Sequence, residues 1–156
     1  MNFYRGHDMD EDQLRIFVGI VQKYFESETG KGPDTGSPYL GDVTDLPMLD
    51  FTGVIGISGV RQGCVYITAG PDLLRALLLH VGETDVSDHN LCDLAGEIAN
   101  TIAGNARLHF GHDFMISVPV IVRGAAQAIH MPRNTKAYVI PFRWRKHPAS
   151  LVVSLQ

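Results

Sequence analysis

The run LCDLAGEIANTIAGNARLHF, residues 91–110, constrains the fold most, because its residues separate into two faces at helical spacing. At about 100° per residue, four of its polar residues and one glycine fall within roughly 80° of one another on a single stripe. This stripe, called the motif stripe below, consists of Asp93, Glu97, Asn100, Gly104 and Arg107. The opposite side carries Leu, Ile and Ala residues, so the run is predicted to be a helix that packs on a core through that side.

Four features of the motif stripe favour a docking face. Asn100 lies in mid-helix although Asn has poor helix propensity, and no Lys on the stripe pairs with Glu97 at the usual i,i+4 spacing. Asp93 and Glu97 are a like-charged i,i+4 pair, which is mildly destabilising unless a cation from elsewhere meets it. Gly104 costs about 1 kcal/mol against Ala in a helix interior, which is easier to explain if something comes close to that face. The competing interpretation is a face that is only solvated, and the pattern alone leaves both open.

Composition restricts the class of protein. A chain of 156 residues with 45% hydrophobic and 19% charged residues is typical of one globular domain, here 1–156. The net charge of −4 and the lack of a basic patch with interleaved aromatic residues argue against nucleic acid or an anionic membrane as the main partner. No stretch approaches about 18 consecutive apolar residues, and the acidic N-terminus does not resemble a signal peptide. The sequence therefore predicts a soluble, cytoplasmic protein.

The order of predicted elements indicates an α+β fold, an antiparallel sheet with helices packed on one face. Helices are predicted at 10–26, at 71–80, and from a cap at Ser87 or Asp88 to about 110, where Gly111 ends the helix. Strands are predicted at 51–58, 63–69, 113–122, 125–131, 136–144 and 150–155. Residues 27–47 are predicted to be a Gly/Pro-rich loop with a short edge strand around 39–43. Because Pro119 and Pro141 have no N–H, their strands are expected to be edges or to carry bulges.

Other motifs fail as sites. The run GISG at 56–59 does not have the G-x-S-x-G spacing of a nucleophile elbow. His109, His112 and Asp113 suggest metal ligands, but Gly111 interrupts the helix between the histidines and no fourth ligand stands out. No metal site and no nucleophile–base pair is therefore predicted.

The motif stripe itself offers a carboxylate and a carboxamide three residues apart, without a nucleophile. Such a pair can act on a substrate that already carries an electrophile and a metal ion. A carboxamide can donate to and accept from one water and hold it in line with a phosphorus atom, as the Gln residues of GTPases do. The carboxylate can pair with a cation on the partner and fix the docking register.

The run DLAGEIAN followed by TIAGNAR resembles the chemotaxis phosphatase CheX and its relatives CheC and FliY. Their signature is Asp or Ser, three residues, Glu, two residues and Asn, and Asp93, Glu97 and Asn100 match each position. The resemblance extends to residues 52–68, 116–124 and 139–142. CheC-type members carry the motif twice. Here the first helix has Glu11 but Leu14 at the position three residues later, where the motif requires Asn, and this points to the single-site CheX type.

The resemblance implies a phosphatase that accelerates dephosphorylation of the phospho-aspartyl response regulator CheY, or a related receiver domain, in chemotaxis. Asn100 would orient the attacking water, Glu97 would anchor the partner, and Asp93 would support the pair. Gly104 and Arg107 are candidate partner-binding or supporting residues, although Arg107 can equally pair with carboxylates beside Asp93. No cofactor of its own is expected, since Mg²⁺ belongs to the phosphorylated partner. A homodimer through sheet edges is also implied. The alternative function is a non-catalytic receiver-docking module with the CheX fold.

Overall fold

A computed structural model describes residues 9–124 and 136–156. The predicted strand at 125–131 lies outside these residues. The elements follow in the order α1 (Glu11–Thr29), β1 (Asp34–Thr35), β2 (Tyr39–Gly41), β3 (Phe51–Gly59), β4 (Gly63–Ala69), α2 (Pro71–His80), α3 (Asp88–Phe110), β5 (Phe114–Ile116), β6 (Val120–Arg123), β7 (Ala137–Trp144) and β8 (His147–Leu155). The predicted α+β class is confirmed. No helix in the described part of the chain is long and apolar enough to cross a membrane.

Capping residues define the two long helices. Asp10 and Gln13 form a capping box at the start of α1, in which the Asp10 carboxylate accepts from the Gln13 N–H at 2.8 Å. Ser87, one of the two predicted caps, accepts from the Asn90 N–H at the start of α3. Gly111, at a φ of 97°, ends α3 as predicted, because this left-handed region favours glycine.

The strands of the described residues form one antiparallel sheet in the order β1-β7-β8-β4-β3-β5, with β2 also paired to β7 and β6 also paired to β3. Each margin of the sheet is thus made of two short strands. The prediction of one continuous strand over 113–122 is wrong, since the chain leaves the ladder between Ile116 and Val120. Pro119 lies in this break and cannot donate to the ladder, and the Ser117 hydroxyl accepts from the Gly56 N–H at 2.8 Å instead.

Pro141 does not lie in an edge strand, but the bulge that the prediction allowed is present. Three residues, 36–38, lie opposite Ile140 and Pro141 between the pairs Thr35–Phe142 and Tyr39–Val139. β7 pairs with β8 in continuous register on one side and is covered by β1 and β2 on the other. The Pro141 carbonyl accepts from the Gly36 N–H at 2.8 Å, which shows that the backbone of Pro141 faces β1 and β2. The N–H that proline lacks would point to the interval between Thr35 and Tyr39, which belongs to neither short strand. The break in the covering strands accommodates the proline.

The helices pack on one face of the sheet, and a glycine sets how close α3 comes to it. An ideal Cβ on Gly53 of β3 would lie 2.4 Å from the Ala95 carbonyl oxygen of α3. No side chain fits in that space, so the backbones of helix and strand are in direct contact. The main core lies between these layers and includes the fully buried side chains Phe17, Phe25, Ile55, Leu91, Ile98, Ile102 and Trp144.

The opposite face of the sheet is covered by part of the predicted 27–47 loop and the residues after it. Leu46 and Met48 pack on a second, smaller cluster made of Tyr66, Ala137, Val139 and Val152. The Tyr66 hydroxyl donates to the Pro47 carbonyl at 3.0 Å, and the Leu49 N–H donates to the Thr68 hydroxyl at 2.7 Å. The loop region therefore closes one sheet margin through β1 and β2 and then shields the second face.

Candidate active site

The motif stripe lies on the solvent side of α3. The helix is fixed by its other side, where Leu91, Ala99 and Ile102 are completely buried. Asp93, Glu97 and Asn100 are exposed, and Arg107 is exposed at the far end of the same stripe. Because the backbone of α3 is held against β3, the carboxylate of Glu97 and the carboxamide of Asn100 project from a rigid support.

Asn100 is available for an external partner. Its carboxamide takes part in none of the hydrogen bonds found within residues 9–124 and 136–156, and it projects from the middle of the helix rather than from a cap. A carboxamide has two donor hydrogens and an acceptor oxygen, so it can both donate to and accept from one water molecule. The geometry fits the water-orienting chemistry expected of this residue.

Glu97 and Asp93 differ in their surroundings. The Asp93 carboxylate lies 3.4 Å from His89 Nε2 on the preceding turn, in an exposed i,i+4 pair. Glu97 makes no ion pair with any other described residue, and it lies near Tyr24 of α1. Burial raises the pKa of the Tyr24 hydroxyl well above its ordinary value, and the carboxylates of Glu28 and Glu97 raise it further. Glu97 is thus the carboxylate of the pair that has no cation beside it.

Glu97 and Asp93 form one wall of a cleft of about 410 Å³ between α1, α3, the end of α2 and the segment that follows it. Its floor is apolar and its rim is acidic. The residues lining this acidic cleft are Tyr24, Glu28, Leu77, Leu78, Val81, Glu83, Asn90, Asp93, Leu94 and Glu97. The motif stripe therefore opens sideways into a concave surface.

Gly104 and Arg107 lie beyond Asn100 on the stripe. An ideal Cβ on Gly104 meets no atom within 4 Å, so the glycine is not required by packing against the described residues. The Arg107 guanidinium donates to the His112 carbonyl at 3.1 Å and ties α3 to the loop that follows it. The suggested pairing of Arg107 with carboxylates beside Asp93 is wrong, because at 1.5 Å per residue the two positions are about 20 Å apart along the helix.

The histidines near the end of α3 do not assemble a metal site in the described part of the chain. His112 Nε2 lies 3.8 Å from an Asp113 carboxylate oxygen, and both side chains are largely exposed. Within residues 9–124 and 136–156, no group of three His, Cys, Asp or Glu side chains is placed to hold a metal ion.

Sequence reasoning missed the residues that other elements contribute to the cleft. Tyr24 and Glu28 come from α1, and Glu83 comes from the connection between α2 and α3. Local periodicity assigns Tyr24 to the buried side of α1 and Glu28 to its polar side, and neither pattern indicates that both meet Glu97. Only the tertiary packing of α1 and α2 beside α3 brings them together.

Solved structures establish the class of fold. A CheC-like superfamily protein from Shewanella sp. PV-4 superposes with a TM-score of 0.82 at 23% identity, covering 95% of this chain and 99% of that chain. The chemotaxis protein CheX from Vibrio vulnificus gives a TM-score of 0.78 at 19% identity, covering 93% and 99%. CheX in a complex with CheY, BeF₃ and Mg²⁺ from Borrelia burgdorferi gives a TM-score of 0.72 at 18% identity, covering 94% and 99%. The chain therefore has the CheC/CheX fold.

The family follows from the sequence itself. The family model described as "Chemotaxis phosphatase CheX" matches residues 51–143, a span that contains β3, the whole of α3 and the motif stripe. This chain belongs to the CheX family. No curated protein matches the sequence.

Proposed function

We propose that this protein accelerates the dephosphorylation of a phospho-aspartyl receiver domain of the CheY type, with Asn100 orienting the attacking water. The observation that carries the proposal is the exposed carboxamide of Asn100, which has no partner in the described residues and stands one turn after Glu97 on a helix fixed to the sheet. Membership of the CheX family supports it, as does the complex of a CheX relative with CheY, BeF₃ and Mg²⁺.

The reaction needs only one group from this chain at the reacting centre. Asn100 donates to and accepts from the water, and so holds its oxygen in line with the phosphorus. The bond from water oxygen to phosphorus forms while the bond from phosphorus to the aspartyl oxygen breaks. The products are inorganic phosphate, which retains the water oxygen, and the free aspartate carboxylate, with the water proton passing to phosphate or solvent. Mg²⁺ carried by the receiver supplies charge neutralisation at the phosphoryl group, so this chain needs no metal ion of its own.

Glu97 fixes the register of the two proteins. Its carboxylate lies one helical turn before Asn100 and has no cation beside it among the described residues, so it can pair with a cation near the phosphorylation site of the receiver. Asp93 has a supporting role on the preceding turn, where His89 already lies at 3.4 Å. The loss of Glu97 is therefore expected to weaken docking more than the loss of Asp93.

The decay of a phosphorylated, Mg²⁺-loaded receiver, measured with and without this protein, tests the proposal. Asn100→Ala is expected to reduce the stimulated rate roughly 10²–10³-fold, which corresponds to about 3–4 kcal/mol of transition-state stabilisation. Asn105→Ala is the matched control, because Asn105 lies on the same helix but off the motif stripe. Both substitutions improve helix propensity equally, so a difference between them reports on the position of Asn100 on the motif stripe, and receiver binding by Asn100→Ala separates catalysis from docking.

The outcomes divide the candidate functions. A near-normal rate with Asn100→Ala would remove this residue from the mechanism. Binding of the receiver without any acceleration by the wild-type protein would favour the docking module. Unchanged binding with Glu97→Lys would return Glu97 to a solvated surface position.

The proposed assembly is a homodimer that forms through a sheet edge. Its support is the margin made by β5 and β6, where Met115, Val118 and Val120 are 54%, 81% and 59% exposed. An apolar edge of this kind is an unfavourable surface unless another chain covers it. Light scattering is expected to give twice the monomer mass for the wild type and the monomer mass for Val120→Lys. Leu79→Lys, on the exposed side of α2, is the control that should remain dimeric.

A further inference from the structure

We propose that the acidic cleft beside Glu97 binds a single Lys or Arg side chain of the receiver, whose cationic head group is held by Glu28, Glu97 and the Tyr24 hydroxyl. The inference rests on the proposed function, since it names a contact that binds the same receiver beside its phosphorylation site. It extends the docking surface from α3 to the end of α1 and to the segment after α2.

The charges of the cleft are unbalanced. Four carboxylates line its rim, from Glu28, Glu83, Asp93 and Glu97, and no Lys, Arg or His lines it. Glu28, Glu83 and Glu97 make no ion pair within residues 9–124 and 136–156, and Asp93 has only the exposed His89 beside it. Like charges gathered around one concave surface concentrate a negative potential, which attracts a cation.

Tyr24 provides a separate indication that a ligand fills the cleft. The residue is only 8% exposed, it lines the cleft, and its hydroxyl has no hydrogen-bond partner among the described residues. The hydroxyl oxygen is not a fully buried atom, so it can be reached from the cleft by water or by a ligand. The nearby carboxylates of Glu28 and Glu97 favour the neutral hydroxyl, whose oxygen can accept from an ammonium or guanidinium group placed between them.

The floor of the cleft selects the kind of cation. Leu77, Leu78 and Leu94 are 1%, 7% and 8% exposed and form an apolar surface beneath the acidic rim. Lys and Arg side chains bury their methylene stems against such a surface while the charged head stays at a polar rim. A metal ion or a small inorganic cation gains nothing from the apolar floor, whereas a long basic side chain can contact both the apolar floor and the acidic rim.

The position of the cleft gives the contact a role in docking. Glu97 is shared between the cleft and the motif stripe, and Asn100 follows it at about 4.5 Å along the helix axis. A receiver side chain held at Glu97 and Glu28 would fix the receiver on one side of α3 and leave the Asn100 carboxamide free to meet the phosphoryl group. The cleft is therefore a positioning site and takes no part in bond breaking.

The affinity of the BeF₃-activated, Mg²⁺-loaded receiver for charge-reversed variants tests the inference. Glu28→Lys is expected to weaken binding about tenfold, and Tyr24→Phe, which removes only the hydroxyl, roughly 2- to 10-fold. Glu26→Lys is the matched control with the same change of net charge. It lies two residues earlier on α1, about 200° around the helix from Glu28, and its affinity should stay within about twofold of the wild type.

Equal weakening by Glu26→Lys and Glu28→Lys would mean long-range attraction alone and would overturn the cleft contact. A double-mutant cycle then identifies the occupant, by combining Glu28→Ala with Ala substitutions of each exposed Lys and Arg around the receiver's phosphorylation site. One cation should be coupled to Glu28 by about threefold or more, and the absence of any coupled cation would refute the proposal.

The failures of the two proposals are distinguishable. If the wild-type protein binds and accelerates the receiver but Glu28→Lys binds as tightly, the cleft contact is wrong and the phosphatase proposal stands. If the wild-type protein neither binds nor accelerates any of a panel of receivers, both proposals fall.

Discussion

Replacing Gly104 by Ala separates the stability of α3 from its use as a docking surface. Gly104 lies in the helix interior on the motif stripe, one turn beyond Asn100, and an ideal Cβ there meets no atom within 4 Å. The methyl group would enter open space in the isolated protein. In the complex it would stand between α3 and a receiver that approaches the helix backbone.

The two effects have opposite signs. Ala is favoured over Gly in a helix interior by about 1 kcal/mol, largely because an unfolded chain with Ala has less conformational freedom to lose on folding than one with Gly. For a chain of this size, that gain raises the melting temperature by about 2–4 °C. On the docking side, a methyl group displaces the partner by about the length of a C–C bond. Overpacking of this kind costs about 1–3 kcal/mol, so the affinity for the receiver should fall roughly 5- to 150-fold.

Thermal unfolding and receiver binding, measured on the same preparations, provide the test, with Gly19→Ala as the control. Gly19 is also an interior residue of a long helix with no atom within 4 Å of an ideal Cβ, but it lies on α1, away from the motif stripe. Both variants should be stabilised, and only Gly104→Ala should bind the receiver more weakly. Equal affinity of Gly104→Ala and Gly19→Ala would refute the idea that a partner approaches the helix closely at Gly104.

Three further predictions concern the scaffold. Gly53→Ala would place a methyl group 2.4 Å from the Ala95 carbonyl oxygen, so it should lower the free energy of unfolding in urea by about 3 kcal/mol or more and displace α3. Lys146→Gly should raise the free energy of unfolding by about 1 kcal/mol in the same assay, because Lys146 has a φ of 71° in the β7–β8 turn. Burial raises the pKa of the Cys64 thiol from 9.0 to about 11, so from about pH 9 to 11 the unfolded chain loses a proton that the folded chain retains. Over that window the wild type should therefore lose roughly 2–3 kcal/mol of stability more than Cys64→Ala does, as followed by urea titrations at both pH values.

Elements with strong local signals were predictable from the sequence. The second helix was predicted at 71–80 and the structure has it at Pro71–His80, because a proline at its start and a run of leucines define it locally. The two faces of α3 were equally clear, since their residues recur at helical spacing. The first helix continues to Thr29, beyond the predicted end at 26, and closes at Gly30 with a φ of 77°.

The parts that depend on distant contacts were not predictable. Residues 27–47 have no hydrophobic period, and nothing local indicates that β1 and β2 pair with β7 or that Leu46 and Met48 cover the second face of the sheet. For Pro141 the sequence left an edge strand and a bulge open, and only the pairing of β7 with β1 and β2 decides for the bulge. At the site, the exposure of Glu97 and Asn100 followed from periodicity, whereas the cleft required Tyr24 and Glu83 from elsewhere in the chain.

The two sides of α3 have separate tasks: the buried side contributes to the stability of the fold, and the exposed side carries the motif stripe. Leu91, Ala99 and Ile102 hold the helix in place, while Glu97 and Asn100 make no described contact on which the fold depends. Substitutions on the motif stripe can therefore change or abolish a reaction at almost no cost in stability. Among proteins built on this scaffold, inheritance of the fold and inheritance of the activity are independent events. On the proposed mechanism, the residues at positions 97 and 100 are the features to compare when activity is assigned.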